Sequence, residues 1–408
     1  VKVVHVVHQY PPEFRGGTEA CVQTLTAAQR ARGDVPFVVA GSDERTPEGE
    51  LRLEAVDHVP VCRVLRMPDE NYSMDHRLPR VGEQVADLIA REKPGAVHLH
   101  HTLNLSGDLA ARLAAAGLPV VVTLHDFTTV CARFFLVRPD GESCAGHFPL
   151  PSARCDVCVL PDFPAGEEAL RVEREARAAT AAAEAAAWGA VIAPSTIVRD
   201  RWLASGLVDA DKLQLIPHAP ALGTAPPPEP RLRADGRLVC ATWGHLAEAK
   251  GVLDLLAALR QAGDPRLALV VLGEPIDADF AEALIDAAEG LDVTFGGRYE
   301  TKDLRELAAR VDLAVFPSRA EETFGLVVAE ARALGLPVIA SDRGALPEGV
   351  GEAGMTVPAA DPAALAAALR LAADEPRTLE AWRSASRRDL VDPATHAEQV
   401  AKVYARVT

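Results

Sequence analysis

The chain has 408 residues, 49% of them hydrophobic, and sets 42 Lys and Arg against 58 Asp and Glu for a formal charge of −16. That length points to about two domains with cores of their own. The acidic balance argues against nucleic acid as a partner, since phosphate binding needs a basic face, and against broad attachment to an anionic membrane.

No apolar run reaches the roughly 18 residues of a membrane span. The opening V-K-V-V-H-V-V-H is short and β-branched, so it reads as a first strand and not as a signal peptide. These features predict a cytoplasmic protein without a transmembrane segment, and leave its oligomeric state open. Arg63, Arg66, His76, Arg77 and Arg80 lie near one another in sequence and read as scattered solvated charges.

Taken in order, Val1 to His8 is a buried strand. A loop ending in Gly16-Gly17 leads to a helix over about Thr18 to Arg32, which Gly33 terminates. Strands follow at Val35 to Ala40 and Val61 to Arg66, then a helix at Leu78 to Glu92. A strand at Ala96 to His100, a helix at Ser106 to Ala116 and a strand at Val120 to Leu124 come next, the last ending on His125-Asp126. Beyond an irregular cysteine-bearing region, 126–166, lies an alanine-rich helix, Glu167 to Ala187. A strand at Ala190 to Ala193, a helix at Thr196 to Ala204 and a strand at Leu213 to Ile216 complete a first domain, 1–217.

Residues 218–235 hold Pro220, Pro226, Pro227, Pro228 and Pro230, a density that reads as an interdomain linker. The alternation then restarts in a second domain, 236–390. Its strands are expected at Leu238 to Trp243, Ala268 to Leu272, Val293 to Phe295, Leu313 to Phe316, Pro337 to Ala340 and Met355 to Val357. Residues 391–408 read as a C-terminal helix packing back on the first domain. Alternating β and α in both halves predicts an α/β protein with two doubly wound parallel sheets, Rossmann-like, facing across a cleft.

In such sheets ligands bind beyond the carboxyl ends of strands, and four stretches with chemistry lie there. The richest runs from Pro317 to Glu330, P-S-R-A-E-E-T-F-G-L-V-V-A-E. It predicts a helix starting near Phe324, with Thr323 as N-cap and the N–H groups of Phe324, Gly325 and Leu326 open to a phosphate. Glu322 and Glu330 are suited to accept hydrogen bonds from hydroxyls. The loop Gly244 to Gly251, G-H-L-A-E-A-K-G, places Lys250 near a helix start as a point charge for phosphate. Gly16-Gly17 and His125 are the other two.

Cys131, Cys144, Cys155 and Cys158 form a further cluster, with His147 among them and a turn at Pro139-Asp140-Gly141. A single C-x2-C admits a tetrahedral zinc site, reduced unlinked thiols or disulfides, and an iron–sulfur cluster is compatible too. Cys21, Cys62 and Cys240 lie on apolar elements and read as core. His5, His8, His98, His100 and His101 read as hydrogen-bonded structural histidines.

In order and placement, these motifs resemble those of family 4 glycosyltransferases of the GT-B fold. The carriers are Gly16-Gly17 with Glu19, His125-Asp126, the loop from Gly244 to Lys250-Gly251, and the pair Glu322 and Glu330 with Phe324-Gly325 between them. Ala333, Gly335, Pro337 and Val338 follow as in that family. The resemblance covers nearly the whole chain. It implies a retaining transfer of a sugar from a nucleoside-diphosphate donor to an acceptor hydroxyl, the donor held by the second domain and the acceptor by the first. By that resemblance His125, Lys250 and Glu322 act at the reacting centre. Gly16, Gly17, Gly244, His245, Lys250, Arg298, Glu322, Phe324, Gly325, Leu326 and Glu330 hold the donor. Gly17 would meet the diphosphate, Lys250 the departing β-phosphate, Glu330 the ribose, Glu322 the sugar, and the loop with Arg298 the base.

One position departs from the family: His245 stands where an arginine is usual, which puts diphosphate binding there in question. No catalytic divalent metal is expected, and zinc would be structural. The acceptor is expected to be a soluble small molecule. An epimerase or hydrolase of the same fold, or a nucleotide-sugar-binding protein without turnover, is the alternative. The fate of the donor separates them.

Overall fold

The computed structural model describes residues 1–71, 76–141, 143–144, 153–159, 166–222 and 236–408. His147 and the part of the expected linker from 223 to 235 lie outside the described residues. The chain divides into two compact units, Val1–His218 with Pro393–Thr408, and Ala219–Asp392. No helix among the described residues is long and apolar enough to cross a membrane.

The first unit runs β1 (Lys2–Val7), α1 (Gly17–Ala31), β2 (Val35–Arg45), β3 (Glu50–Val56), β4 (Val59–Arg66), α2 (Pro79–Glu92), β5 (Ala96–Leu99), α3 (Leu109–Ala115) and β6 (Val120–Thr123). It continues with α4 (Asp156–Val159), α5 (Glu167–Ala187), β7 (Ala190–Ala193), α6 (Thr196–Ser205) and β8 (Leu213–Leu215). The second unit runs β9 (Leu238–Trp243), α7 (Val252–Ala262), β10 (Leu267–Leu272), α8 (Ala278–Ala288), β11 (Val293–Gly297), α9 (Thr301–Ala308) and β12 (Leu313–Phe316). After these come α10 (Leu326–Ala333), β13 (Val338–Ser341), α11 (Leu346–Val350), β14 (Gly354–Val357), α12 (Pro362–Asp374) and α13 (Pro376–Ala385). The last helix, α14 (Pro393–Val407), belongs to the first unit.

The first sheet has the order β3-β4-β2-β1-β5-β6-β7-β8. Its neighbours are parallel except at the edge, where β3 pairs antiparallel with β4. The sequence pattern missed β3 because it is an edge strand of alternating exposed charge, without an apolar run. It also stopped β2 early. Arg63 and Arg66 are not solvated as read: both are buried, and Arg63 donates to Glu54 (2.6 Å) and to the carbonyls of Tyr10 (2.9 Å) and Pro11 (2.6 Å).

The side chains of alternate residues leave opposite faces of this sheet. Val4, Val6, Val97, Leu99, Val120 and Val122 join one core with Val81 and Val85 of α2 and Leu109 of α3. Val3, Ala96 and Val121 join the other with Leu25 of α1 and Val400, Val403 and Tyr404 of α14. Each such fully buried aliphatic contributes about 1.5–3 kcal/mol relative to exposure. Removing α14 would therefore uncover a core face. His5 and His98 share that face and sit opposite each other in the β1–β5 register.

The second sheet is parallel throughout, with the order β11-β10-β9-β12-β13-β14. In each sheet the winding reverses between two central strands, β1 and β5 in one and β9 and β12 in the other. A crevice opens where connections diverge in opposite directions, which makes these reversals the places to look for a site.

Candidate active site

In the second unit the loops after β9 and β12 meet. Lys250 Nζ donates to Glu322 Oε1 at 2.7 Å, and Ser318 Oγ donates to the same oxygen at 2.8 Å. Burial alone would raise the Glu322 carboxyl, but the Lys250 ammonium and these two hydrogen bonds outweigh it and hold it below its ordinary value. Glycines make the approach of the loops feasible. Gly251 has φ 71°, and a Cβ there would meet the Pro317 carbonyl oxygen at 2.0 Å. Gly344 has φ 56°, and a Cβ would meet the Glu322 carbonyl oxygen at 2.1 Å. Ala345 N–H then donates to that carbonyl at 2.7 Å.

The helix expected to begin near Phe324 begins two residues later. Gly325 is its N-cap, with φ 76°, and Leu326 is its first residue. The φ of 76° at Gly325 calls for glycine, and a Cβ there would also press on the tip of the Leu346 side chain at 2.6 Å. The open first-turn N–H groups of α10 thus start at Leu326, with Phe324 and Gly325 in the approach to them. Glu330 lies one turn in and is buried. It accepts from Trp243 Nε1–H at 2.9 Å, yet burial still lifts its carboxyl to about 7.

His245 is kept mostly neutral at pH 7, its pKa lowered by partial burial and by Lys250, against the pull of Glu274. Gly244 has φ 131° and donates its N–H to Leu272 O at 3.2 Å. Arg298 is exposed beyond the end of β11. Its neighbour Tyr299 is the residue whose hydroxyl feels Glu330: burial and that carboxylate raise its pKa.

In the first unit, Gly16 caps α1 and Gly17 is its first residue. Gly16 N–H donates to Glu19 Oε2 at 3.0 Å, so the helix's own third residue fixes the loop. Burial raises Glu19 to about 7. Beyond β5 and β6, His101 Nε2 meets Asp126 Oδ2 at 2.9 Å. Although burial disfavours both charges, each favours the other, which raises His101 and lowers Asp126. His125 is held neutral, burial lowering it to about 3. Its ring stacks on His218, with centroids 4.8 Å apart and 6° between planes. It lines a cavity with His101, Asp126, Thr128 and Arg177.

Of the five histidines read as separate structural residues, His5, His98 and His100 form a continuous network that reaches His125, whereas His101 pairs with Asp126 and His8 faces Glu19 at 3.3 Å. Ser318 and Trp243 were missed as well, whereas Tyr299 lies in the loop with Gly297 and Arg298 that the resemblance placed near the base. Ser318 lies within the Pro317 to Glu330 stretch, but no spacing marked which of its polar residues would hold Glu322.

The seven cysteines are thiols. Cys131 N–H donates to Phe127 O and Cys144 N–H to Leu136 O, both at 2.7 Å, and Val137 bridges Ser143, which makes a hairpin between the first two cysteines. Arg133 donates to the carbonyl of Cys158 at 3.4 Å. Burial raises Cys144 to about 11, with Cys158, Cys131 and Cys155 adding to the rise, so the four share one neighbourhood. Zinc binds the thiolate form, whereas burial favours the protonated thiol at Cys131, Cys144 and Cys158. Among the described residues, the sets whose ligand atoms all lie within 4.8 Å are instead His5, His98 and His100, and Cys21, His125 and His218.

Two family models match: a glycosyl transferase 4-like domain over residues 16–219 and glycosyl transferases group 1 over residues 237–374. A glycogen synthase of Mycobacterium tuberculosis (strain CDC 1551 / Oshkosh) is 37% identical over 172 residues, 40% of this chain and 41% of that protein. The chain thus spans about two fifths of that relative. A GDP-mannose-dependent alpha-mannosyltransferase of the same strain is 28% identical over 84% of this chain and 80% of its own length. Among solved structures, Anabaena HepE in complex with UDP superposes with a TM-score of 0.68 at 18% identity, covering 99% of this chain and 100% of its own.

Proposed function

The chain belongs to the family 4-like glycosyltransferases of the GT-B fold, and on that premise we propose that it moves a sugar from a nucleoside-diphosphate donor to an acceptor hydroxyl with retention of configuration. The observation that carries this reading is the Lys250–Glu322 pair of 2.7 Å at the strand reversal of the second sheet, beside the N-terminal end of α10. The chemistry needs both signs of charge close together. As the anomeric carbon–oxygen bond breaks, negative charge grows on the departing diphosphate and positive character on the sugar. Lys250 and the helix N-terminus meet the first, and Glu322 holds sugar hydroxyls. Each keeps the other in place until a donor divides them.

Glu330, one turn into α10 and tied to Trp243, takes the ribose hydroxyls, and Tyr299 lies beside it toward the base. UDP in the solved Anabaena complex and GDP-mannose in the mycobacterial relative support a nucleoside-diphosphate sugar as donor. In this reading Gly17 offers its backbone N–H to the diphosphate, Gly16, whose own N–H is taken by Glu19, shapes that loop, and His125 serves the sugar and a soluble acceptor. Front-side departure lets the leaving phosphate oxygen take the acceptor proton, so no side-chain nucleophile is called for. In this reading a structural zinc ion would have to draw the sulfurs of the clustered cysteines together, since they share a neighbourhood but are not among the sets within 4.8 Å.

The test is a panel of UDP, GDP, ADP and dTDP sugars with free sugars, polyols and sugar phosphates as acceptors, followed by 31P NMR of the nucleotide and 1H NMR of the product. Acceptor-dependent release of nucleoside diphosphate, with an α-donor giving an α-glycoside, is the expected result. An inverted product, an altered sugar nucleotide, or release without a new glycoside overturns the reading.

A further inference from the structure

Beneath His125 a chain of buried side chains runs through the first unit. His125 Nε2 meets His100 Nδ1 at 2.9 Å, His100 Nε2 meets His5 Nδ1 at 3.0 Å, and His5 Nε2 meets Gln29 Oε1 at 2.8 Å. Gln29 Nε2 in turn donates to the Tyr404 hydroxyl of α14 at 3.1 Å. That hydroxyl meets His98 Nδ1 at 2.7 Å, and His98 Nε2 meets Thr123 Oγ1 at 2.7 Å. The ring nitrogens of His5, His98 and His100 lie close enough to share a metal ion. All six already face a hydrogen-bonding partner, however, so the cluster is a hydrogen-bonded network and not an open ligand set.

A neutral imidazole has one donor and one acceptor nitrogen, whereas an amide nitrogen only donates and an amide oxygen only accepts. Burial keeps these rings neutral: His5 is lowered to about 4 and His125 to about 3, and His98 and His100 lie well below the ordinary value. Only two complete patterns of protons then satisfy the chain, each the reverse of the other, and the orientation of the Gln29 amide selects between them. The lengths agree with Gln29 Oε1 facing His5. An O–H donor gives a shorter bond than an N–H donor. The 2.7 Å contact fits Tyr404 O–H donating to His98 Nδ1, and the 3.1 Å contact fits Gln29 N–H donating to the phenol oxygen.

We infer that Gln29, acting through His5 and His100, fixes His125 as the Nε2–H tautomer and so places the lone pair on Nδ1 as a hydrogen-bond acceptor. His5 Nε2–H donates to Gln29, His100 Nε2–H to His5, and His125 Nε2–H to His100. Gln29, His5 and His100 are thus positioning residues. Their effect on turnover, though not on the tautomer, rests on the proposed placement of His125 at the sugar and acceptor. The second arm ends on Thr123, two residues before His125 on the same strand end, so both arms brace one segment. Tyr404 makes the C-terminal helix part of the device.

The experiment is two-bond 15N–1H correlation NMR on the full chain labelled with 15N-histidine. All four of His5, His98, His100 and His125 are expected as neutral Nε2–H tautomers near pH 7.5. Gln29→Leu should turn His125 into a mixture of tautomers. Gln29→Glu, whose carboxylate only accepts, should keep the Nε2–H form. Tyr404→Phe frees the amide to turn and should also give a mixture, which secures the test if Gln29→Leu does not fold. With a donor and acceptor in hand, Gln29→Leu should lower kcat about tenfold, about 1.4 kcal/mol, with the donor KM within twofold. An Nδ1–H tautomer at His125 in the unaltered protein, or a His125 tautomer that ignores both Gln29→Leu and Tyr404→Phe, overturns the inference whether or not the chain transfers sugar.

Discussion

At the strand reversal of the first sheet the candidate site's side chains are mostly imidazoles that burial keeps neutral. At that of the second they are charged, with Lys250 and Glu322 2.7 Å apart. The first arrangement stores information in the direction of hydrogen bonds and moves little charge. The second places opposite charges side by side, which the proposed transfer would use as a bond breaks into ions. One fold thus carries two kinds of electrostatics, and acid is the broadest way to separate them. His5, His98, His100, His125, His218 and His396 all have lowered pKa values. Between their folded values and 6.5 the unfolded chain binds more protons, so they stabilise the first unit fully above pH 6.5 and less as pH falls.

Glu19 and Glu184, raised to about 7 and about 8, and His101, raised by Asp126, oppose this but are outnumbered. In the second unit Glu330, raised to about 7, has the opposite sign from those histidines: its contribution is greatest in acid and is lost as pH rises through 7. Hydrogen exchange at pH 5, corrected for intrinsic rate and compared with pH 7.5, should show β1, β5 and β6 losing more protection than β9 and β12. Equal loss in both sheets breaks the contrast.

Charge at the second site is tested next by Lys250→Ala. Removing a donor aimed at developing charge costs about 10²–10³ in kcat. The half-exposed pair itself is worth about 0–1 kcal/mol of stability, so Tm should move by only a few degrees. A turnover within twofold of the unaltered enzyme rules out the leaving-group role. Glu330→Ala should follow in size. Its loss should weaken the preferred nucleoside diphosphate by about 1–3 kcal/mol, the range for a buried partner left unmatched. Calorimetry reads this directly, and unchanged affinity removes Glu330 from the ribose.

Both sheets were largely legible in the sequence because parallel strands buried on two faces are continuous apolar runs, as in V-V-H-V-V and L-A-V-F. The strand β3 was not, since an edge strand carries no such run. The positions of Lys250, Glu322 and Glu330 could be read because glycines and helix starts mark strand ends. Their partners could not. Trp243 looked like any strand aromatic and Ser318 like any loop serine, and only folding brings them to the carboxylates. The histidines illustrate the limit most directly. His5, His98, His100 and His101 are hydrogen-bonded as read, whereas His8 Nδ1 is buried without such a partner among the described residues. Gln29 and Tyr404 lie 375 residues apart, and no local pattern announces a chain that joins them.

The cysteine cluster would be a local contrast to the neutral histidine network of the first unit, since a metal site would hold thiolates. Cys155→Ser with Cys158→Ser should abolish a bound zinc of about one equivalent, as four thiolates predict. Protease sensitivity should rise between Asp126 and Gly166, with nucleotide binding by the second unit retained. Protein purified without chelator that contains neither zinc nor iron, with all four thiols open to alkylation, rules the site out.

The smallest effect should come from putting back the charge the second site lacks. His245 follows Gly244 at the end of β9, in the loop that leads to Lys250. Its ring is held mostly neutral by partial burial and by Lys250 itself. It therefore offers the diphosphate a hydrogen bond and no fixed charge. An arginine at this position would add a permanent planar fork beside Lys250. The loop is exposed, however, so the added attraction is screened and worth at most about 1 kcal/mol. His245→Arg should accordingly tighten nucleoside diphosphate binding about two- to fivefold at 50 mM salt, and most of that gain should fade by 300 mM, where the screening length is short. His245→Gln keeps the hydrogen bond without charge and should bind within twofold of the unaltered protein. If the glutamine substitution weakens binding tenfold, the histidine carries a charge when nucleotide is bound, and the contrast between the two sites narrows to one of degree. If the arginine substitution changes neither affinity nor its salt dependence, the diphosphate does not reach this loop, and Lys250 alone must meet it.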